Sequence, residues 1–347
     1  MQTTINNLKI IFFTCVLFSL FSCSKENIKD LSETIFVRHK GADMPAYIYG
    51  NGSEKVFLII LHGGPGDTGL GYRGGTIKSE IEKACAVVYF DQRGSGMAQG
   101  SYSQNGINID IMAEDVLALV KVIKHKYGSD SRFFLMGHSW GGTLGTATLL
   151  KNQDEFKGWI DVDGVHAPKG LYFEYIDNFK RVASEQIDIG NNIDYWTGAT
   201  NLVNNVDPNI YDESDFFRMN NEAFEAEDIL VGNGVINNEV FDSNTFFRYN
   251  FLTALWSRNR TLAILTNQGL WENLSYTSRL SEITIPSLVL WGRYDMIVPP
   301  RFAQEAYDNL GSTTKKLVFF EKSGHSPMAS EAGLFADEVI EFINENK

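Results

Sequence analysis

The sequence predicts an α/β domain: a doubly wound, mostly parallel sheet flanked by helices, with a helical cap inserted in it. Three observations carry that prediction. Apolar runs rich in β-branched and aromatic residues recur, each closing on or near a glycine: KVFLIILHGGPG, ACAVVYFDQRGSG, SRFFLMGHSWGG, KGWIDVDGV, PSLVLWGRYD and KKLVFFEKSGH. Strands buried on both faces read this way, and they belong to parallel sheets covered by helices. Helical patterns lie between them, and strand–helix alternation is what a doubly wound sheet requires. From about Ala167 to Leu280 the apolar runs break up and Asn, Asp and Glu become frequent, which marks an insertion between two core strands.

The chain opens on MQTTINNLKIIFFTCVLFSLFSC, where Lys9 precedes an apolar stretch from Ile10 to Phe21. A membrane-spanning helix needs about 20 apolar residues, so this shorter stretch fits the apolar region of a secretory signal peptide. Leu20 to Cys23 resembles the lipobox of bacterial lipoproteins, in which the cysteine is lipidated and becomes the new N-terminus. Phe21 is bulky for that motif, and an ordinary signal peptide cleaved nearby is the alternative. On this reading residues 1–22 are removed, Cys23 is lipidated, and residues 23–34 form a polar tether. The protein is then exported and held on a bacterial membrane, facing the periplasm or the cell surface. Residues 35–166 and 281–347 make the core, and 167–280 the cap.

In the core, NIDIMAEDVLALVKVIKHKYG places Ile109, Met112, Val116, Leu119, Val120 and Ile123 at helical spacing and stops at Gly128. PPRFAQEAYDNLG and EAGLFADEVIEFINEN are two more helices, and ESDFFRMNNEAFEAEDILV and NTFFRYNFLTALWSRNRTLAILTNQG are helices of the cap. A 347-residue chain that is 44% hydrophobic can bury a large core. Its net charge of -13 without a basic cluster argues against nucleic acid, which needs concentrated Lys and Arg. Of the three cysteines, Cys15 lies in the leader and Cys23 is the proposed anchor. Cys85 stands alone in the body and opens an apolar run as a small core residue. No CxxC or HExxH spacing occurs, so neither a metal nor a cofactor is expected.

Gly137-His138-Ser139-Trp140-Gly141 fits G-x-S-x-G between a buried strand and the helix GGTLGTATLL. A serine on so tight a turn is forced into strained backbone angles, and its neighbours must be small for the turn to close. The turn also sets the hydroxyl at a helix N-terminus, where developing negative charge is favoured. A nucleophilic serine needs a base and an acid to orient it. Of six histidines, His325 follows a buried strand in FFEKSGHSPM and comes last in the chain. The order serine, acid, histidine requires this. His138 adjoins the serine, but on such a turn its side chain is expected to point elsewhere. Asp295 ends the strand LVLWGRYD and is the favoured acid, since strand C-terminal ends carry the site in open α/β sheets. Asp163, ending WIDVD, is the rival. His62-Gly63-Gly64-Pro65-Gly66 follows the first strong strand and can offer a backbone N–H beside the serine. With Pro65 lacking one, Gly64 is preferred, and Trp140 supplies the second donor of an oxyanion hole.

At these residues the chain resembles the α/β-hydrolase fold and, more narrowly, the proline iminopeptidase family. The narrower resemblance rests on HGGPG, DQRGSG, GHSWGG, WGRYD and SGHS in order, from His62 to Ser326. It implies Ser139 as nucleophile, Asp295 as orienting acid and His325 as base and then acid. It also implies that DQRGSG braces the site, with Asp91 and Arg93 paired beneath the serine turn; a simple solvated turn is the alternative. The family often has glycine where this chain has His138. Its members read a substrate's free α-amino group with cap carboxylates. Glu222, Glu225 and Glu227 are the candidates here, with a solvated helix face as the alternative. Trp140, Phe173, Phe179 and Trp256 are candidate pocket aromatics. The resemblance implies a serine hydrolase acting on a short peptide or small amide, with N-terminal proline favoured. A carboxylesterase with the same triad and a non-catalytic surface lipoprotein are the rival readings.

Overall fold

The computed structural model describes residues 28–100, 103–239 and 250–347. The leader, the lipidation candidate Cys23 and the start of the tether lie outside the described residues.

The apolar runs form strands for the reason that their composition suggests. β3 (Val56–Leu61) and β4 (Ala86–Phe90) are buried at every position. They lie in a nine-stranded sheet, counted over the described residues, whose main path runs β1-β2-β4-β3-β6-β7-β8-β9. Here β1 is Leu31–His39, β2 Ala42–Gly50, β5 the short Gln99–Gly100 on β2, β6 Arg132–His138, β7 Phe156–Val162, β8 Ser287–Gly292 and β9 Lys315–Phe320. Pairing is parallel from β4 through β9 and antiparallel at the β1–β2–β4 edge.

The β1–β2 hairpin is an addition to the sequence reading, and β1 begins at Leu31, inside the segment assigned to the tether. β1 alternates buried and exposed positions because one of its faces meets solvent, a pattern unlike the continuous apolar runs of strands buried on both faces. Its turn, Lys40–Gly41, has φ of 42° and 80°, the two positive values that a tight hairpin turn needs.

Helices cover both faces of the sheet. α1 (Ile109–Tyr127) starts where the Asn108 side chain accepts the Ile111 N–H at 2.9 Å and stops at Gly128. It buries Met112, Val116, Leu119, Val120 and Ile123 beside α2 (Trp140–Asn152). Between β7 and β8 the chain forms α3 (Pro168–Asp188), α4 (Ile193–Asn204), α5 (Glu213–Gly232) and α6 (Phe251–Asn267). After β8 come α7 (Arg301–Asn309) and α8 (Ala332–Asn346), the latter packed on the second apolar layer with Phe335, Val339 and Phe342. Cys85 is buried in that same layer.

Candidate active site

Ser139 sits between the end of β6 and the start of α2 with φ 56° and ψ -119°. A non-glycine residue at positive φ stores about 1–3 kcal/mol of strain, and here the surroundings hold it. The Ser139 N–H donates to the Val162 carbonyl at 3.0 Å, and its carbonyl accepts from Gly142 at 2.9 Å and Val165 at 3.1 Å. The glycines around it answer to space: a Cβ on Gly141 would come within 2.1 Å of the Leu61 carbonyl oxygen, and one on Gly137 within 2.2 Å of the Gly141 oxygen. Neither neighbour is a side chain that could move aside.

The loop after β9 carries His325, and the loop after β8 carries Asp295. The two meet at 2.9 Å between His325 Nδ1 and Asp295 Oδ2. The other oxygen, Oδ1, accepts the N–H groups of Ile297 at 2.8 Å and Val298 at 2.7 Å. The Asp295 carbonyl accepts from Asn178 of α3 at 3.2 Å. Burial pulls the His325 imidazole down, but the Asp295 charge and hydrogen bond outweigh it and leave the group above its ordinary value.

His138 does not point away, as its place on the turn suggested. Its ring lies 4.7 Å from that of His325, centroid to centroid, and its Nε2 donates to the His325 carbonyl at 2.7 Å. The other nitrogen accepts from the Tyr72 hydroxyl at 2.5 Å. Burial and the neighbouring His325 drive the His138 pKa down to about 3, so the ring is neutral and suited to one donated and one accepted bond. Tyr72 in turn accepts the Gly63 N–H at 2.9 Å. That bond engages Gly63, and Gly64, at φ 114°, lines the same cavity as Ser139. Trp140 opens α2, so its N–H is one of the helix-start donors that have no intrahelical acceptor.

The DQRGSG loop braces this arrangement through partners the sequence did not reveal. Gln92 donates to the His62 carbonyl and accepts the Trp140 indole N–H, both at 2.9 Å. The expected pairing of Asp91 with Arg93 is replaced by two separate sets of contacts. Asp91 accepts the backbone N–H groups of Gly69 and Met97 at 2.8 Å, while Arg93 makes a two-pronged ion pair with Asp115 of α1 at 2.7 Å. An ionised carboxylate matched to a buried guanidinium fork is the geometry that buried arginine favours.

Gly64, His138, Ser139, Trp140 and His325 line one cavity of about 670 Å³, within the size range of small-molecule sites. Its far wall is apolar: Phe216, Phe217, Phe224, Leu255, Leu262 and Trp271. Of the expected pocket aromatics Trp140 is present; Phe173 packs against the core, Phe179 is buried in it and Trp256 is exposed. The three cap glutamates do not line the cavity. Helical phase is the reason: α5 turns Phe217, Asn220, Asn221 and Phe224 toward it, one face at i, i+3, i+4 and i+7, and Glu222 and Glu225 fall off that face. Glu227 is buried beneath the His325 loop instead. Its carboxylate accepts the His325 N–H at 3.0 and 3.1 Å and the Met296 N–H at 2.8 Å. Burial and the Asp295 charge raise its pKa to about 8. Among the described residues the carboxylate that lines the cavity is Asp67, which pairs with Arg258 at 3.5 Å; Glu239 is not in the lining but hydrogen-bonds Ser326, which is.

His138, Asp163 and His325 offer ligand atoms within 4.8 Å of one another. Both His138 nitrogens and Nδ1 of His325 are engaged in the hydrogen bonds just described.

A family model described as alpha/beta hydrolase fold matches residues 56–332. The chain is 26% identical over 303 residues to a probable aminopeptidase, YbaC, of Bacillus subtilis, spanning 84% of this chain and 90% of that one. It is 24% identical over 307 residues to a proline iminopeptidase of Saccharolobus solfataricus, spanning 83% and 84%. Among solved structures, the proline iminopeptidase-related protein of Thermus thermophilus matches with a TM-score of 0.59 at 19% identity, over 91% of this chain and 98% of that one.

Proposed function

Because the chain belongs to the α/β-hydrolase family, we propose that it is a serine hydrolase that cleaves a small amide or peptide, removing an N-terminal residue, proline above all, from short peptides. The observation that carries this reading is that Ser139, on its strained turn, and the Asp295-paired His325 open into one cavity. Ser139 Oγ attacks the carbonyl carbon as His325 Nε2 takes its proton. The N–H groups of Gly64 and Trp140 hold the oxyanion, and the proton passes to the leaving amine. Water then attacks the acyl-enzyme with His325 again as base. Asp67 and Glu239 are the groups to receive a substrate's free amine, in place of the three cap glutamates. The exported, lipid-anchored placement read from residues 1–23 goes with this proposal, and it suits a scavenger of short peptides.

The apolar far wall favours a second reading, a carboxylesterase with the same three residues. Assay of the purified protein on prolyl-, alanyl- and N-acetyl-prolyl-naphthylamides beside a short acyl ester separates the two, with Ser139→Ala as control. Cleavage of free but not acetylated prolyl-naphthylamide supports the aminopeptidase. Ester cleavage alone, lost in Ser139→Ala, sinks it.

A further inference from the structure

Asp163, the rival acid of the sequence reading, does not face solvent. It is fully buried at the end of β7, with φ 46°. Its N–H donates to the Leu290 carbonyl at 3.0 Å, and its Oδ1 accepts the Gly292 N–H at 2.9 Å, so it is stitched to the strand that leads into Asp295. Its second oxygen, Oδ2, is buried without a hydrogen-bond partner among the described residues. Asp163 nevertheless brings a carboxylate oxygen within 4.8 Å of a ring nitrogen of His325, the ring that Asp295 holds at 2.9 Å, so the two buried carboxyl groups converge on one imidazole. Two buried carboxylates so placed repel unless a proton neutralises one of them.

We propose that Asp163 and Asp295 form a carboxyl pair behind His325 that shares one proton and one negative charge, and that either member can serve as the imidazole's partner. This rests on the serine-hydrolase reading above. The donor count decides where the charge lies. Among the described residues, Asp295 receives two backbone N–H groups and the His325 Nδ1–H, whereas Asp163 receives only the Gly292 N–H. The charge therefore sits on Asp295, and the proton on Asp163, donated toward Asp295. Burial and the Asp295 charge act in the same direction, holding Asp163 well above the ordinary carboxylate range. The other titratable groups around the pair are His138 and Tyr72 on the serine side, Glu227 and Tyr175 from the cap helices, and Glu239. When Asp295 is neutralised, its share of what keeps Asp163 protonated is gone, while burial, the larger share, remains. As the His325 imidazolium forms, Asp163 gives up its proton and becomes the charged partner of that ring, one of whose nitrogens lies within 4.8 Å of it.

The test compares Asp295→Asn, Asp163→Asn and the double variant by two readouts. The first is the rate of Ser139 labelling by a fluorophosphonate, which needs no knowledge of the substrate. Asp163→Asn is expected to slow it about threefold and Asp295→Asn about 30-fold. The double variant should fall on the order of 10⁴-fold, the loss known when the acid of such a triad becomes an amide, and far beyond the product of the single effects. The second is the downfield Nδ1–H proton resonance of His325. It should persist in Asp295→Asn and vanish in the double variant. Asn tolerates positive φ and keeps an oxygen for Gly292, and thermal unfolding checks that each variant is folded. If Asp295→Asn alone labels as slowly as the double variant, or loses the resonance, the shared pair is overturned. A wild-type protein that does not label overturns the serine-hydrolase reading instead, while the resonance still decides the pair.

Discussion

Both carboxylate oxygens of Glu227 accept the backbone N–H of His325, at 3.0 and 3.1 Å, and one of them also accepts from Met296 at 2.8 Å. A cap-helix side chain thus ties together the loop of the histidine and the loop of its acid. The glycine of the SGHS motif makes room for it: a Cβ on Gly324 would come within 2.3 Å of Glu227 Oε2.

Removing that tie should cost stability. Glu227→Ala strands two buried N–H groups, each worth about 1–3 kcal/mol when unsatisfied. Chemical denaturation should show a loss of about 2–6 kcal/mol on that basis. A loss under about 1 kcal/mol would mean that water replaces the carboxylate.

The same residue should make stability depend on pH. Folding raises the Glu227 pKa from 4.5 to about 8, so the native state favours its protonated form. Its contribution is fully present below the unfolded value and is lost as pH rises through about 8. The stability of the wild type relative to Glu227→Gln should therefore fall between those two pH values. A difference that stays flat across the window would contradict the raised value.

His325 should own the acidic limb of the pH–rate profile. Its pKa lies above 6.5, so kcat/KM should rise with pH through a midpoint higher than that value, as the imidazole becomes the free base. His138, neutral down to about 3, should not contribute. His138→Gln should lower kcat/KM while leaving the midpoint in place, and a shifted midpoint would show that His138 titrates with its neighbour.

The glycines of the serine turn can be tested against a helical control. Gly141→Ala forces a Cβ against the Leu61 backbone and should destabilise by about 1–3 kcal/mol, as overpacking does. Among the described residues, nothing lies within 4 Å of a new Cβ on Gly198, in α4, so Gly198→Ala should stabilise by about 0.5–1 kcal/mol through helix propensity. Equal effects at the two sites would remove the steric account of the turn.

Amine recognition should separate from chemistry. If Asp67 or Glu239 receives the free α-amine, Asp67→Asn or Glu239→Gln should raise KM for prolyl-naphthylamide about tenfold, with ester turnover unchanged, the signature of lost uniform binding. Unchanged KM in both would leave the amine unread at this end of the cavity and favour the esterase.

The amino-acid sequence by itself determined the parts whose cause is local. Strands buried on both faces show as apolar runs because every side chain along them meets a helix layer, and β3, β4, β6, β7 and β8 were legible for that reason. The serine turn was legible because its geometry excludes side chains from fixed neighbouring positions. The half-solvated β1 was not, since alternation over so short a span leaves no continuous run. The tertiary structure decided what depends on approach between distant segments. Helical phase alone could not say that α5 would turn Glu227 under the His325 loop and Asn220, Asn221 and Phe224 into the cavity, because that depends on how the cap docks. Likewise, Asp163 and Asp295 end strands that are neighbours only in the folded sheet. Their separation along the chain hides that two carboxyl groups converge behind one histidine, and a charge that close to another acts through space, whatever the order of residues between them.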